Sequence, residues 1–364
     1  MLKLKSLTVV LIVVLLILSM GLVACAPAEV ADEPAEAADE PAEAAEEPAE
    51  AAEETAEESA EKITIGISMD LMDSPYWEVL TQTIADTIGD KGETIILVAQ
   101  SDVKAQNDQI ASFISQGVDA IICVPRDGKA LSESIKKCNE AGIPFIFADR
   151  PIESTENAKV DYGVATNNFE LAKLGTQWMV DYAKKNDIHL NVLVFVGGLT
   201  DNNAIERDRG FMEILEANPD VVTIVQKVPT EWQPEKALAG TVNALQANEE
   251  INCIFTPSDY LLPAITSGLQ QADRYVPLGE EGHIMIATFD GDAVGMEAIR
   301  DGYALVDMCQ PVFQAGQLAA EAAMKLIAGE EMDKEFHLDP GFLVTIDNFE
   351  ETAYLSYGWF GTDN

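Results

Sequence analysis

The residues able to do chemistry recur at one kind of place, just after short apolar runs. Asp70-Leu71-Met72-Asp73-Ser74-Pro75-Tyr76-Trp77 follows the run Ile63–Ser68, and Asp149-Arg150-Pro151 follows Pro144–Ala148. Gly197-Gly198-Leu199-Thr200-Asp201-Asn202-Asn203, then Arg207, follows Asn191–Val196. Trp232 comes after Val228, Ser258 and Asp259 after Phe255, Asp290-Gly291-Asp292 after Phe289, and Gln310 after Met308. Carboxylates accept hydrogen bonds, guanidinium donates in a fork and amides do both. Aromatic rings add flat apolar faces. A sugar ring asks for this mixture, with hydroxyls around its edge and C–H groups on its two faces. Charge-assisted hydrogen bonds are the strong ones, and an unmatched buried partner costs about 1–3 kcal/mol. Such a set would therefore select one hydroxyl pattern over its epimers.

The apolar runs alternate with helical spacing. Ile63–Ser68, Thr94–Ala99, Asp119–Val124 and Pro144–Ala148 read as strands, with helices marked by Tyr76–Ile88, by Ile110, Phe113, Ile114 and Gly117, and by Leu131, Ile135 and Cys138. The alternation restarts near residue 167. Leu171, Leu174, Trp178 and Tyr182 share a helical face, and Asn191–Val196, Val221–Val228, Asn252–Phe255 and Ile284–Phe289 read as strands. Continuously apolar short strands between amphipathic helices imply βαβ units around buried parallel sheets. The fold class expected is α/β, with two Rossmann-like doubly wound lobes. In such sheets ligands bind at the carboxyl ends of strands, where the polar clusters lie.

Composition narrows the function. The 364 residues carry 22 Lys+Arg against 63 Asp+Glu, a net charge of −41. Phosphate backbones need clustered cations, so nucleic acid is a poor partner. Anionic lipid headgroups are equally unattractive to such a chain. Five Cys, without CxxC spacing or a neighbouring His, exclude a disulfide scaffold and a zinc module. Cys123, Cys138, Cys253 and Cys309 stand in apolar runs, as buried thiols do, although a Cys123–Cys138 pair is open on spacing. The three His, at 189, 283 and 337, stand beside no Ser or Cys nucleophile, and GxSxG, HExxH and P-loop patterns are absent. No catalytic residue, cofactor or metal is expected.

The N-terminus reads as an export signal. Lys3 and Lys5 precede the apolar stretch Leu7–Met20, which ends Leu22-Val23-Ala24-Cys25. That ending resembles the lipobox of bacterial lipoproteins, which implies acylation of Cys25 and membrane attachment through lipid alone. Residues 26–62 hold 15 acids and one base, with Pro at 34, 41 and 48. The sevenfold period lacks large apolar a/d residues and repeats a helix breaker, so a disordered tether is expected rather than a coiled coil.

The strand-end residues together resemble the sugar-binding periplasmic binding proteins of ABC importers, of ribose, xylose and galactose type, over about residues 63–330. The likeness rests on Asp73-Ser74-Pro75-Tyr76-Trp77, on Asp149-Arg150, and on Arg207 ahead of Gly210-Phe211. It rests further on Phe289-Asp290-Gly291 and on Gln310. Asp201-Asn202-Asn203-Ala204 and Trp232-Gln233-Pro234-Glu235-Lys236-Ala237-Leu238 look closer to xylose-binding members. Ser74 and Ser258 stand where ribose-type members usually carry Asn. The resemblance implies the type I periplasmic binding protein fold, whose two lobes are joined by a three-stranded hinge, here Thr166–Asn168, Gln310–Pro311 and Pro340–Gly341. The expected boundaries are 1–25 for the leader, 26–62 for the tether, 63–166 plus 311–340 for the first lobe, and 167–310 plus 341–364 for the second. It also implies a monomeric receptor that hands a monosaccharide to a membrane ABC permease, a sensory role or a cyclitol, nucleoside or furanose ligand being the alternatives.

The ligand residues expected are Asp70, Ser74, Tyr76, Trp77, Asp149, Arg150, Asp201, Asn203, Arg207, Trp232, Ser258, Asp290 and Gln310. Several have plainer readings. Asp149-Arg150 could be a surface ion pair. Asp70 or Asp73 could cap the helix at Tyr76, and Asp201 or Asn203 the one after them. Trp77 and Trp232 could be core aromatics, and Trp178, on a helical stripe, fits the core better than a site.

Overall fold

The computed structural model describes residues 62–332 and 336–360. The leader, Cys25 and residues 26–61 of the tether lie outside that range.

The first sheet is built from β1 (Ile63–Met69), β2 (Gly92–Val98), β3 (Ala120–Val124), β4 (Phe145–Ala148), β5 (Tyr162–Thr166) and β11 (Phe336–Asp339), in the order β11-β5-β4-β3-β1-β2, all parallel. The reversal of strand order at β1 is the switch point of a doubly wound sheet. The strand β3 reads AIICV and is buried throughout, as a central parallel strand covered on both faces must be. Between the strands run α1 (Pro75–Ile88), α2 (Val103–Gln116) and α3 (Ser132–Ala141). Pro75 opens α1 at a position where its missing N–H costs nothing. Asp102 caps α2 by accepting from the amides of Lys104 and Ala105, and Gly117 ends it in the left-handed region.

The second sheet repeats the plan with β6 (Leu190–Val196), β7 (Val222–Pro229), β8 (Cys253–Phe255), β9 (Met285–Asp290), β10 (Val306–Cys309) and β12 (Phe342–Thr345). Its order is β12-β10-β9-β8-β6-β7, parallel except for β12. Its helices are α4 (Asn168–Lys185), α5 (Asn202–Ala217), α6 (Pro234–Ala247), α7 (Leu262–Gln271) and α8 (Ala293–Arg300). The chain then returns, because α9 (Val312–Ile327) packs Val312, Ala315 and Ala319 into the core of the first sheet beside Leu80 and Ile84 of α1. A short helix, α10 (Phe349–Thr352), follows β12. The chain passes between the sheets three times, after Thr166, after Cys309 and after Asp339.

Two strand groups carry no clear signal in the sequence. Tyr162–Thr166 is interrupted by Gly163, where a Cβ would stand 2.0 Å from the Phe147 ring, so only glycine lets β4 and β5 pair with that ring between them. β11 and β12 are four-residue strands flanking the last crossing, partly exposed and too short to show a period. Cys123, Cys138, Cys253 and Cys309 are buried and unpaired, which answers the open question of a Cys123–Cys138 bond. Trp178 is half-buried at the core of the second sheet, stacked on Tyr182 at 5.5 Å.

Candidate functional site

The strand ends of both sheets face one interlobe cavity. Its empty space, open mouth included, is about 530 Å³. All the residues expected from the sequence line it except Asp70. Leu71, Asp73 and Tyr260 line it as well. Tyr260 lies one residue beyond Ser258-Asp259, so a strand-end signal extended by a single position would have included it.

The expectation for Asp70 needs correction. Its side chain is fully buried and absent from the lining, paired with Arg150, whose NH1 donates to Oδ2 at 2.6 Å. Arg126 approaches the same oxygen at 3.5 Å. An aspartate at the end of the central strand β1 lies beneath the lining, and it holds the Arg150 guanidinium that lines the cavity. Neither Asp70 nor Asp73 caps α1. Ser74 takes the cap position, without a side-chain hydrogen bond.

In the first lobe, Tyr76 and Trp77 open α1 with their rings edge to face at 4.9 Å. The Tyr76 hydroxyl donates to Asp149 Oδ1 at 2.9 Å. Arg150 lies over the Trp77 ring, 5.3 Å from its centre. Trp77 therefore serves two ends, packing into the first-lobe core and facing the cavity. Asp149 adopts φ +69°, a backbone state rare outside glycine, and Asp149 and Arg150 are 2% and 8% exposed, so they are not a solvated surface pair.

In the second lobe, Asp201 fills both of its possible roles. Its Oδ1 accepts from the Asn203 amide as the N-cap of α5, while Oδ2 accepts from Trp232 Nε1 at 3.1 Å and faces the cavity. Trp232 sits at φ +60° with its ring against the bare Cα of Gly197, where a Cβ would come within 2.3 Å. Arg207 is held on three sides, donating through Nε to Asn168 Oδ1 at 2.7 Å and through NH1 to Pro257 O at 2.7 Å and Asp290 Oδ1 at 2.9 Å. Its guanidinium lies 3.9 Å from the centre of the Phe289 ring. Asp290, at φ +120°, also accepts from Ser258 Oγ at 2.5 Å and Gln310 Nε2 at 2.7 Å. Strained positions of this kind persist where surrounding contacts over-determine them, and they gather at ligand sites.

The lobes also touch directly. Asn203 Nδ2 donates to Asp149 Oδ2 at 2.9 Å, and Arg150 NH2 lies 3.4 Å from Asp201 Oδ2. Burial pushes the carboxyls of Asp149 and Asp290 above the usual range, against the opposing pull of Arg150 and Arg207. Burial, then the charge of Asp149, holds the Tyr76 hydroxyl protonated well past its ordinary value. Three buried atoms of lining residues make no hydrogen bond: the oxygens Asn203 Oδ1 and Gln310 Oε1, and the donor Arg150 Nε, which stands 3.9 Å from Asp149 Oδ2.

Comparison with known proteins places this geometry. Residues 65–331 match the periplasmic binding protein domain family. The chain belongs to that family. It is a solute receptor of the extracytoplasmic compartment rather than an enzyme, and its fold is the type I periplasmic binding protein fold. The ribose import binding protein of Bacillus subtilis is 26% identical over 275 residues, covering 75% of this chain and 85% of that one. The D-xylose-binding periplasmic protein of Escherichia coli is 26% identical over 289 residues, covering 78% and 83%. Among solved structures, an ABC transporter solute-binding protein from Bacillus halodurans with bound myo-inositol superposes with a TM-score of 0.71 at 23% identity, covering 82% of this periplasmic binding protein and 99% of the other.

Proposed function

We propose that this protein is the substrate receptor of an ABC importer, tethered by a lipid on Cys25, and that it captures a monosaccharide in the interlobe cavity for delivery to a membrane permease. One observation carries the reading. The cavity wall brings the carboxylates of Asp149, Asp201 and Asp290 and the guanidinium groups of Arg150 and Arg207 together with indoles at Trp77 and Trp232. A hydroxyl both donates and accepts, so the rim of a polyol matches carboxylate and guanidinium alike, and its C–H faces match the indoles. An apolar ligand would cover these polar groups without giving them new partners, at about 1–3 kcal/mol each. The relatives named for ribose and xylose support the same class of ligand.

Capture follows from the two-sided wall. Asp149 and Arg150 belong to the first lobe and Arg207, Trp232 and Asp290 to the second, so a ligand reaches all its partners only when the lobes are together. It thereby shifts the population toward the closed form. The test is a thermal-shift screen over D-ribose, D-xylose, D-galactose and myo-inositol. A ligand at a hundred times its Kd stabilises the fold by about 2.7 kcal/mol. A panel without any shift removes the monosaccharide reading. Globomycin-sensitive processing and a mass increment on Cys25 test the anchor.

A further inference from the structure

We propose that Asp259 and Asp307 share one buried proton, and that this carboxyl pair holds the Asp290–Asp292 loop in its binding position. Both residues lie inside the second lobe, behind the cavity wall, and they are 1% and 0% exposed. Their carboxyl groups converge on the bare Cα of Gly295 in α8, where a Cβ would collide with oxygens of both. Asp259 is richly supplied with donors. It accepts from the Thr288 hydroxyl, from the Gly291 amide at 3.1 Å and from the Asp292 amide at 2.8 Å. Asp307 makes no full hydrogen bond on either oxygen, although the Gly291 amide that serves Asp259 lies close to it as well.

Two bare carboxylates this close repel strongly where water is excluded, and a proton between them turns repulsion into an O–H···O⁻ bond. Burial, then the charge of Asp307, holds the Asp259 carboxyl well above the usual range, so the proton belongs to the pair, with three donors steadying its Asp259 side. The groups facing the pair do not supply a neutralising charge. From the β9–α8 connection come Asp290 and Asp292, from β10 the Cys309 thiol, and from the C-terminal segment Tyr357. The guanidinium at this end of the sheet, Arg207, is committed to Asp290. Burial, with the added charge of Asp290 and Asp292, pushes Asp307 up to about 8.

The loop feels the pair directly. Asp259 grips the amides of Gly291 and Asp292, the two residues after Asp290, which binds Arg207, Ser258 and Gln310. Loss of the proton sets Asp307 against Asp259 and draws the gripping carboxylate out of place. Weaker ligand binding in alkaline solution follows, a consequence that alone rests on the cavity being the ligand site.

The decisive experiment needs no ligand. In the full chain, NMR of aspartate carboxyl carbons and of backbone amides is followed from pH 5 to pH 10. The expected result is a carboxyl carbon with a midpoint near pH 8, and Gly291 and Asp292 amides that move with the same midpoint. Asp307→Asn, whose amide can donate to Asp259 at every pH, abolishes both titrations. Thermal unfolding gives an independent readout: the melting temperature falls between pH 5 and pH 9 in the wild type and falls less steeply above pH 7 in Asp307→Asn. The proposal is overturned if every aspartate titrates below about pH 6, or if the high-pH titration survives unchanged in Asp307→Asn. Should that variant not fold, the wild-type carboxyl and amide midpoints decide alone, and midpoints that differ by more than a unit refute the pair.

Discussion

Arg150 is the residue on which site and stability meet. Its guanidinium reaches back to the buried Asp70 and forward to Asp201 across the cleft. Removing it alone leaves Asp70 a buried charge whose remaining partner, Arg126, stands off at 3.5 Å. Arg150→Met is therefore expected to cost about 3–5 kcal/mol by denaturant unfolding. The double variant Asp70→Leu with Arg150→Met should recover most of that loss, since well-packed apolar side chains can replace a buried pair, yet it should not recover ligand binding. Equal stability of the single and double variants would show that Asp70 does not depend on Arg150. Trp232 makes a second case at this scale, because its ring serves the cavity while its backbone sits in the left-handed region. Trp232→Ala and Trp232→Gly both remove the ring, so both should weaken binding about tenfold, the equivalent of roughly 1.4 kcal/mol. The glycine variant should be the more stable by about 1 kcal/mol, because only glycine occupies that backbone state freely. Titration calorimetry and thermal unfolding separate the two effects.

At the scale of elements, the regular parts of the fold were legible and the irregular parts were not. Strands such as Ala120–Val124 are short, fully apolar and bounded by breakers, here Asp119 and Pro125, and helices such as Pro75–Ile88 show both a start signal and an apolar face. Local sequence suffices for these because burial on both faces demands it. Tyr162–Thr166 was illegible because its identity as a strand depends on Gly163 meeting Phe147, a contact made only in the assembled sheet. Gly163→Ala is expected to destabilise by about 1–3 kcal/mol through overpacking, and Phe147→Leu in the same chain to return part of it. A neutral Gly163→Ala would mean that the ring moves without strain. The site followed the same logic. Its lining was readable because strand-end residues lie where a doubly wound sheet binds ligands, whereas Asp70 sits at an equivalent sequence position but faces inward. Which way a strand-end side chain turns is set by its partners, and Arg150 stands 80 residues away.

The whole molecule carries a pH signature. Asp149, Asp290, Asp259 and Asp307 all have carboxyls raised by burial, Asp307 to about 8. A carboxyl that holds its proton more tightly in the folded than in the unfolded chain stabilises the fold most below the unfolded value near 4. That contribution is lost as pH rises toward the folded value. Stability should therefore decline between about pH 4 and pH 8, the reverse of the behaviour given by salt-bridged surface carboxylates, and denaturant unfolding at intervals across that range measures it. The two lobes are also linked by the Asn203–Asp149 bond. Asn203→Ala should raise the radius of gyration of the ligand-free protein in small-angle scattering, and an unchanged radius would show that this bond does not hold the lobes together.

The threefold crossing has a consequence for synthesis. The core of the first lobe is closed by α9, and its sheet ends with β11, so neither is complete until more than 300 residues have been made. A ribosome working from the N-terminus thus releases strands β1–β5 long before the helix that seals them exists. The arrangement delays burial of the earliest apolar segments, and a chain bound for a translocation pore benefits from staying unstructured until it has crossed.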